Sequence, residues 1–148
     1  MSNFGAAINV IVVGLIGGIA VGLQGPMSGA MSQRVGPLGS SLVIHLGGAV
    51  FSAVLLLILR GVEWQSIKAL PLPYFFAGLF GVILYFTLAY TLPRAGVGIT
   101  TALLILAQMG IGLVIDHNGW MGVPLHPISL PRVLGILSIL FGAFLVTK

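Results

Sequence analysis

The sequence predicts an all-helical integral membrane protein with about five transmembrane helices. Of its 148 residues, 58% are hydrophobic and 5% are charged, whereas a soluble domain carries about a quarter charged residues. The few charged residues lie far apart and separate long uncharged runs. Because a helix needs roughly 20 apolar residues to cross a bilayer, these runs are long enough to span one.

Each predicted helix follows from one uncharged run. No charged residue precedes Arg34, and the later runs cover 35–59, 69–93, 95–115 and 133–147. The last run is short, but its flanking Arg132 and Lys148 can snorkel to the two membrane surfaces. The predicted helices therefore cover approximately 4–33, 38–59, 72–92, 95–115 and 131–147, within one transmembrane domain of residues 1–148. Turns are expected at Gly36-Pro37 and at 93–96.

Within the first helix, Gln24, Gly25 and Pro26 predict a break at 25–26. Proline removes a backbone hydrogen bond that hydrocarbon cannot replace, so such a break should face protein or a water-filled cavity. The segment has no basic residues before it and no polar domain behind it. We therefore interpret it as an uncleaved span and not as a signal peptide.

Several classes of function are disfavoured by composition. The chain has no cysteine, which excludes disulfides and thiolate metal sites. Its net charge of +4 comes from single Lys and Arg residues at helix ends, which suit lipid headgroups and do not indicate nucleic acid. No catalytic constellation, phosphate-binding loop or metal-ligand cluster is present, so we predict neither an enzyme nor a cofactor or metal.

The positive charges give no direction of insertion. Five spans place three basic residues on each side of the membrane: Arg60, Lys68 and Arg132 on one, and Arg34, Arg94 and Lys148 on the other. A balanced count is what a chain inserted in both orientations would show, and two opposed copies would form an inverted-repeat transporter. The alternative is that Arg60 and Lys68 dominate and fix a single orientation.

Polar residues in the predicted helices mark candidate sites. Amides in hydrocarbon need partners, so they should face protein or a hydrated path, either as cavity walls or as contacts between helices. His45 could carry a proton-linked step or be a packing residue, and Tyr85 could stack on a substrate or pack. The candidates for a substrate cavity are Gln24, Ser28, His45, Tyr85, Thr101 and Gln108. The only acidic residues are Glu63 and Asp116, which disfavours a cation exporter that needs a membrane-embedded acid.

Two further groups could order the structure. Asp116 and His117 are expected to make a helix-end or loop contact with Arg132 or a backbone amide, with a gating role as the alternative. Glycines recur on single helix faces and would allow close helix packing, either within one subunit or between two copies. These faces are formed by Gly14, Gly18 and Gly22, by Gly25 and Gly29, and by Gly135 and Gly142.

Many of these residues together resemble the YdcZ-like family of inner-membrane exporters, in the drug/metabolite transporter superfamily. The resemblance covers nearly the whole chain and is carried by Leu23-Gln24-Gly25-Pro26, Gly47-Gly48, Gly96, Thr100, Thr101, Gln108, Asp116, His117, Gly119, Pro124, Pro127, Arg132, Gly135 and Gly142. It implies that the chain is a half-transporter that pairs into a ten-helix unit. Ser28, where asparagine is more common, and His45 depart from the family's usual pattern.

The sequence thus predicts a small-molecule exporter in a prokaryotic inner membrane. It would act as a homodimer, with its two copies antiparallel, by alternating access on a small neutral or amphipathic metabolite. Two alternatives use the same features: an accessory membrane subunit that transports nothing, and a passive, channel-like pore.

Overall fold

The structure is a computed structural model that describes residues 2–59 and 61–146. Its elements are four α-helices, α1 (Ser2–Leu59), α2 (Trp64–Lys68), α3 (Ala77–Asn118) and α4 (Leu130–Val146), with 3-10 turns at Leu72–Phe76 and Trp120–Gly122. The described residues contain no strand, so the predicted all-helical class is confirmed. Arg60, Thr147 and Lys148 lie outside the described residues, and with them the predicted end of the last helix and two of the six basic residues used for topology.

Two of the helices are long and apolar enough to cross a membrane. They cover Gly5–Leu59 and Leu72–Asn118, and Leu130–Leu145 is a shorter apolar helix. Each long helix is interrupted at one glycine, Gly36 (φ 77°, ψ 164°) in α1 and Gly96 (φ 74°, ψ 174°) in α3. We call the segments on either side α1N (2–35), α1C (37–59), α3N (77–95) and α3C (97–118). That five segments each span a membrane stays a prediction.

The interruption of the first helix differs from the predicted position. The sequence predicted a break at 25–26, but in the structure Pro26 lies inside helical backbone and the non-helical residue is Gly36. Proline fixes φ near its helical value, so Pro26 keeps helical dihedral angles although it removes one backbone hydrogen bond. Gly36 adopts a positive φ that other residues rarely reach, and Pro37 is preorganised to begin the next helix. The structure therefore places the turn at Gly36-Pro37, and the backbone at 25–26, where a break was predicted, is helical.

The interruption at Gly36 folds α1 into a helical hairpin. Ser28 and Ser40 are twelve residues apart, and in a straight helix they would be separated by about 18 Å. Their hydroxyl oxygens lie 3.3 Å apart, and the Ser40 hydroxyl also donates to the Ser28 carbonyl at 3.1 Å. α1C therefore runs back along α1N from the turn.

Contacts group the chain into two compact units that divide after Pro93. In the first unit, α3N packs against both arms of the hairpin. On α1N, a Cβ added at Gly25 would lie 3.9 Å from a Leu88 methyl, and one added at Gly29 would overlap Leu92. Tyr85 and Leu88, at 6% and 5% exposure, are the buried hydrophobic residues among those described. The second unit contains α3C, the following loop and α4.

Candidate functional site

A polar cluster connects the three helical segments of the first unit. We define it as Gln24 on α1N, Ser41 and His45 on α1C, and Tyr85 on α3N. The Gln24 amide donates to the Tyr85 hydroxyl at 3.1 Å. The rings of Tyr85 and His45 meet edge to face, with their centroids 5.4 Å apart. Tyr85 therefore joins a residue of α1N to a residue of α1C.

His45 is held by its own helix on one side and lies close against Gly81 of α3N on the other. Its Nδ1 lies 2.7 Å from the Ser41 carbonyl oxygen and 3.2 Å from the Ser41 hydroxyl. Its Nε2 lies against Gly81 of α3N, where an added Cβ would be only 2.5 Å away. The absence of a side chain at Gly81 thus makes the space that this end of the imidazole occupies.

Four serines pack between the arms of the hairpin close to the cluster. Ser28, Ser32, Ser40 and Ser41 are all buried, and the Ser32 hydroxyl donates to the Ser28 carbonyl at 2.8 Å. Small side chains allow the arms to approach, and each hydroxyl bonds within the hairpin or to a neighbour, as buried polar groups require. Ser28, a predicted cavity residue, therefore lies inside this helix contact.

The polar cluster reaches the surface of the chain. Gln24 and His45 are both exposed, while Tyr85 between them is buried. Helices as apolar as α1 would normally place such a face in lipid, where an exposed amide and imidazole are costly. In a membrane this face has to be covered by water or by protein.

The other two cavity candidates lie in the second unit. Thr101 and Gln108 are on α3C, and both are exposed there. The neighbouring Thr100 is buried at 2% exposure, and its hydroxyl has no hydrogen-bond partner among the described residues. Four of the six predicted residues, Gln24, Ser28, His45 and Tyr85, therefore lie together in the first unit, and two do not.

The loop between α3 and α4 is fastened by Asp116 and Arg132. Arg132 forms an ion pair with Asp116 and donates to the His126 carbonyl at 2.6 Å, while the His126 amide donates to the Asp116 carbonyl at 2.8 Å. The Ile128 amide donates to His117 Nδ1 at 3.2 Å. The contact predicted between Asp116 and Arg132 is thus present. A gating role for this network stays a prediction.

The second unit also contains an apolar groove of about 480 Å³ between α3C and α4. Its walls are hydrophobic: Ile99, Ala102, Leu103, Ile105, Leu106, Met109, Ile136, Ile139, Leu140, Ala143 and Phe144. With no polar side chain in this lining, the groove offers a ligand nothing to orient it. The described residues contain no cluster of three acidic, histidine or cysteine side chains that could hold a metal ion.

The sequence analysis did not identify three residues that lie in the polar cluster or beside it. Ser41 precedes His45 by one helical turn, and this i to i+4 spacing could have indicated the contact. Ser40 and Gly81 had no such local signal. Their roles depend on how the hairpin closes and on where α3N packs, which spacing along one helix does not reveal.

Comparison with known proteins finds a family model that matches most of the chain. The family model described as "Putative inner membrane exporter, YdcZ" matches residues 9–145. No curated protein and no solved structure matches the chain significantly. The match covers both units and includes every residue of the polar cluster.

Proposed function

Since the chain belongs to the YdcZ family of inner-membrane exporters, we propose that it exports a small neutral or amphipathic metabolite, and that the polar cluster is part of the substrate path. The observation that carries this proposal is the exposure of Gln24 and His45 on otherwise apolar helices. Lipid is a poor environment for both side chains. A hydrated substrate cavity satisfies them and gives them a function.

The chemistry of the cluster favours a neutral substrate. Its side chains are an amide, a serine hydroxyl, an imidazole and a phenol, none of which has a fixed charge. The ion pair between Arg132 and Asp116 lies in the second unit and does not involve the cluster. A permanently charged substrate would have no counter-ion in the cluster and would lose its hydration energy on entry.

We further propose that two copies pair to close the cavity. Gly14, Gly18 and Gly22 lie on one face of α1N, and a Cβ added at any of them would meet no atom within 4 Å. Gly25 and Gly29 continue the same face along the helix, but there they face Leu88 and Leu92 of the same chain. The part of the face formed by Gly14, Gly18 and Gly22 is free for close packing against a second copy, and small residues allow such packing in lipid.

A crosslinking experiment tests the pairing. The chain lacks cysteine, so Gly18→Cys introduces a single thiol on the glycine face. Ile16→Cys is the matched control, because a two-residue step places it on nearly the opposite side of the same helix. We expect oxidation in membranes to crosslink Gly18→Cys and not Ile16→Cys. Equal crosslinking, or none at either position, would contradict this interface.

The antiparallel arrangement predicted from the balanced charges has its own test. Leu125 is exposed in the loop before α4, and Leu125→Cys can be labelled with a membrane-impermeant maleimide. If the chain inserts in both orientations, about half of the thiols should react in intact cells and the rest only after permeabilisation. Complete labelling from one side would establish a single orientation and exclude an antiparallel pair.

Ligand binding tests the export function itself. Because a ligand of the folded state raises its stability by mass action, a thermal-shift screen of purified protein against neutral amides, polyols and amphipathic metabolites should give dose-dependent shifts. A hit should then show saturable flux in proteoliposomes, and Gln24→Leu should weaken both. Saturable flux unchanged by Gln24→Leu would exclude the cluster from the path, and non-saturable flux would favour a pore.

A further inference from the structure

The protonation of His45 can be read from its contacts. A carbonyl oxygen only accepts hydrogen bonds, so the 2.7 Å contact from Nδ1 to the Ser41 carbonyl requires a proton on Nδ1. In a neutral imidazole the other nitrogen then carries a lone pair. Nε2 is therefore the hydrogen-bond acceptor of this residue; it lies beside Gly81 of α3N, on a side chain that is exposed.

Tyr85 supplies the complementary group. Its hydroxyl oxygen accepts from Gln24, and its proton has no acceptor among the described residues. An acceptor on His45 and a donor on Tyr85 therefore occur on rings whose centroids are 5.4 Å apart. A neutral molecule with both a donor and an acceptor, such as an amide, matches this pair.

We propose that a proton and the hydrogen-bond donor of a neutral, amide-like substrate compete for Nε2 of His45, so that export is coupled to proton entry. The inference rests on the proposed function. When Nε2 takes up a proton from the aqueous solution, it becomes a hydrogen-bond donor. It then repels the N–H of the substrate, and the substrate leaves the site. When the proton departs on the other side of the membrane, the lone pair is available again. The Nδ1 contact to Ser41 is compatible with both states, so the ring stays in place.

The surroundings of His45 allow this exchange. The facing group on α3N is the Tyr85 phenol, and α1N contributes the uncharged Gln24 amide through Tyr85. Among residues 2–59 and 61–146, no hydrogen bond or ion pair joins His45 to a charged side chain. The hydrogen-bond partner of the imidazole is Ser41 of its own helix, and the side chain is exposed.

The test is side-chain nitrogen NMR of the full-length protein in detergent, from about pH 5 to about pH 8, the range in which imidazoles change charge. The His45 resonances are assigned by their loss in the His45→Gln variant. The matched control is His126→Gln, which removes an exposed histidine of the loop and should leave the His45 resonances in place. Two probes differ by one methyl group, which replaces the donor: N-methylacetamide has one N–H, and N,N-dimethylacetamide has none. We expect the neutral His45 ring to carry its proton on Nδ1, and only N-methylacetamide to shift the Nε2 resonance.

Competition predicts a definite pH dependence. As the pH is lowered and the ring becomes mostly protonated, the affinity for N-methylacetamide should fall about tenfold for each further unit by which the pH decreases. A neutral ring with its proton on Nε2, equal shifts with both probes, or an affinity independent of pH would overturn the proposal. Flux measurements separate it from the export function: saturable export with the same pH dependence in wild type and His45→Gln refutes the coupling alone. An absence of any saturable flux refutes export, and with it the coupling that rests on it.

Discussion

Substitution of Gly81 by alanine should expose the packing that shapes the polar cluster. The new Cβ would lie 2.5 Å from His45 Nε2 and 3.1 Å from Cε1, whereas ordinary contact begins at 3.4 Å. The imidazole is a rigid ring held by the Ser41 carbonyl and by the Tyr85 ring, so it cannot yield as the end of a flexible chain would. Either the ring leaves its hydrogen bond or α3N moves.

The expected magnitude is the difference between two effects. Overpacking of this kind costs about 1–3 kcal/mol, while alanine in place of glycine inside a helix gains about 1 kcal/mol. Gly81→Ala should therefore lower the free energy of unfolding by up to about 2 kcal/mol. In a His45→Ala background the obstructing ring is gone, and the same substitution should become stabilising by up to about 1 kcal/mol.

A double-mutant cycle measures this reversal. The four proteins are unfolded by denaturant titration in mixed micelles, and the coupling between the two positions should be about 1–3 kcal/mol. Gly78→Ala is the control in the same helix, because its added Cβ would meet no atom within 4 Å. If Gly81→Ala changes stability equally with and without the imidazole, Nε2 does not lie against Gly81 and the site is built differently.

Three further predictions concern the hairpin and the loop. Gly36→Ala should destabilise the protein by about 1–3 kcal/mol in the same titration, because φ 77° and ψ 164° lie in a region that is essentially restricted to glycine and no atom lies near the added Cβ, so that backbone strain alone acts; a neutral effect would contradict the turn. Ser40→Ala removes the donor to the Ser28 carbonyl and should cost about 1 kcal/mol, whereas Ser40→Leu should cost more because its larger side chain would separate the arms; equal effects would argue against tight packing there. Arg132→Gln should speed amide exchange in the loop while lowering global stability by less than about 1 kcal/mol, since both Arg132 and Asp116 are 34% exposed; unchanged exchange would show that the ion pair does not order the loop.

The class of this protein was determined by composition and spacing alone. Long uncharged runs leave helices as the structures that satisfy every backbone group in lipid, and the positions of Gly36 and Gly96 mark where those helices are interrupted because glycine reaches a positive φ. The ion pair between Asp116 and Arg132 could also be predicted, since a lone acid and a lone base flank one loop.

The composition of the candidate site depended on tertiary structure. Gln24, His45 and Tyr85 come from three helical segments, and almost every residue around them is apolar, so helical periodicity does not say which faces meet. The hairpin brings Ser40 to Ser28, and Gly81 admits the imidazole of His45. In a chain that is hydrophobic on all sides, burial does not select a face. Steric fit and hydrogen bonding between segments do, and both arise only when the segments pack.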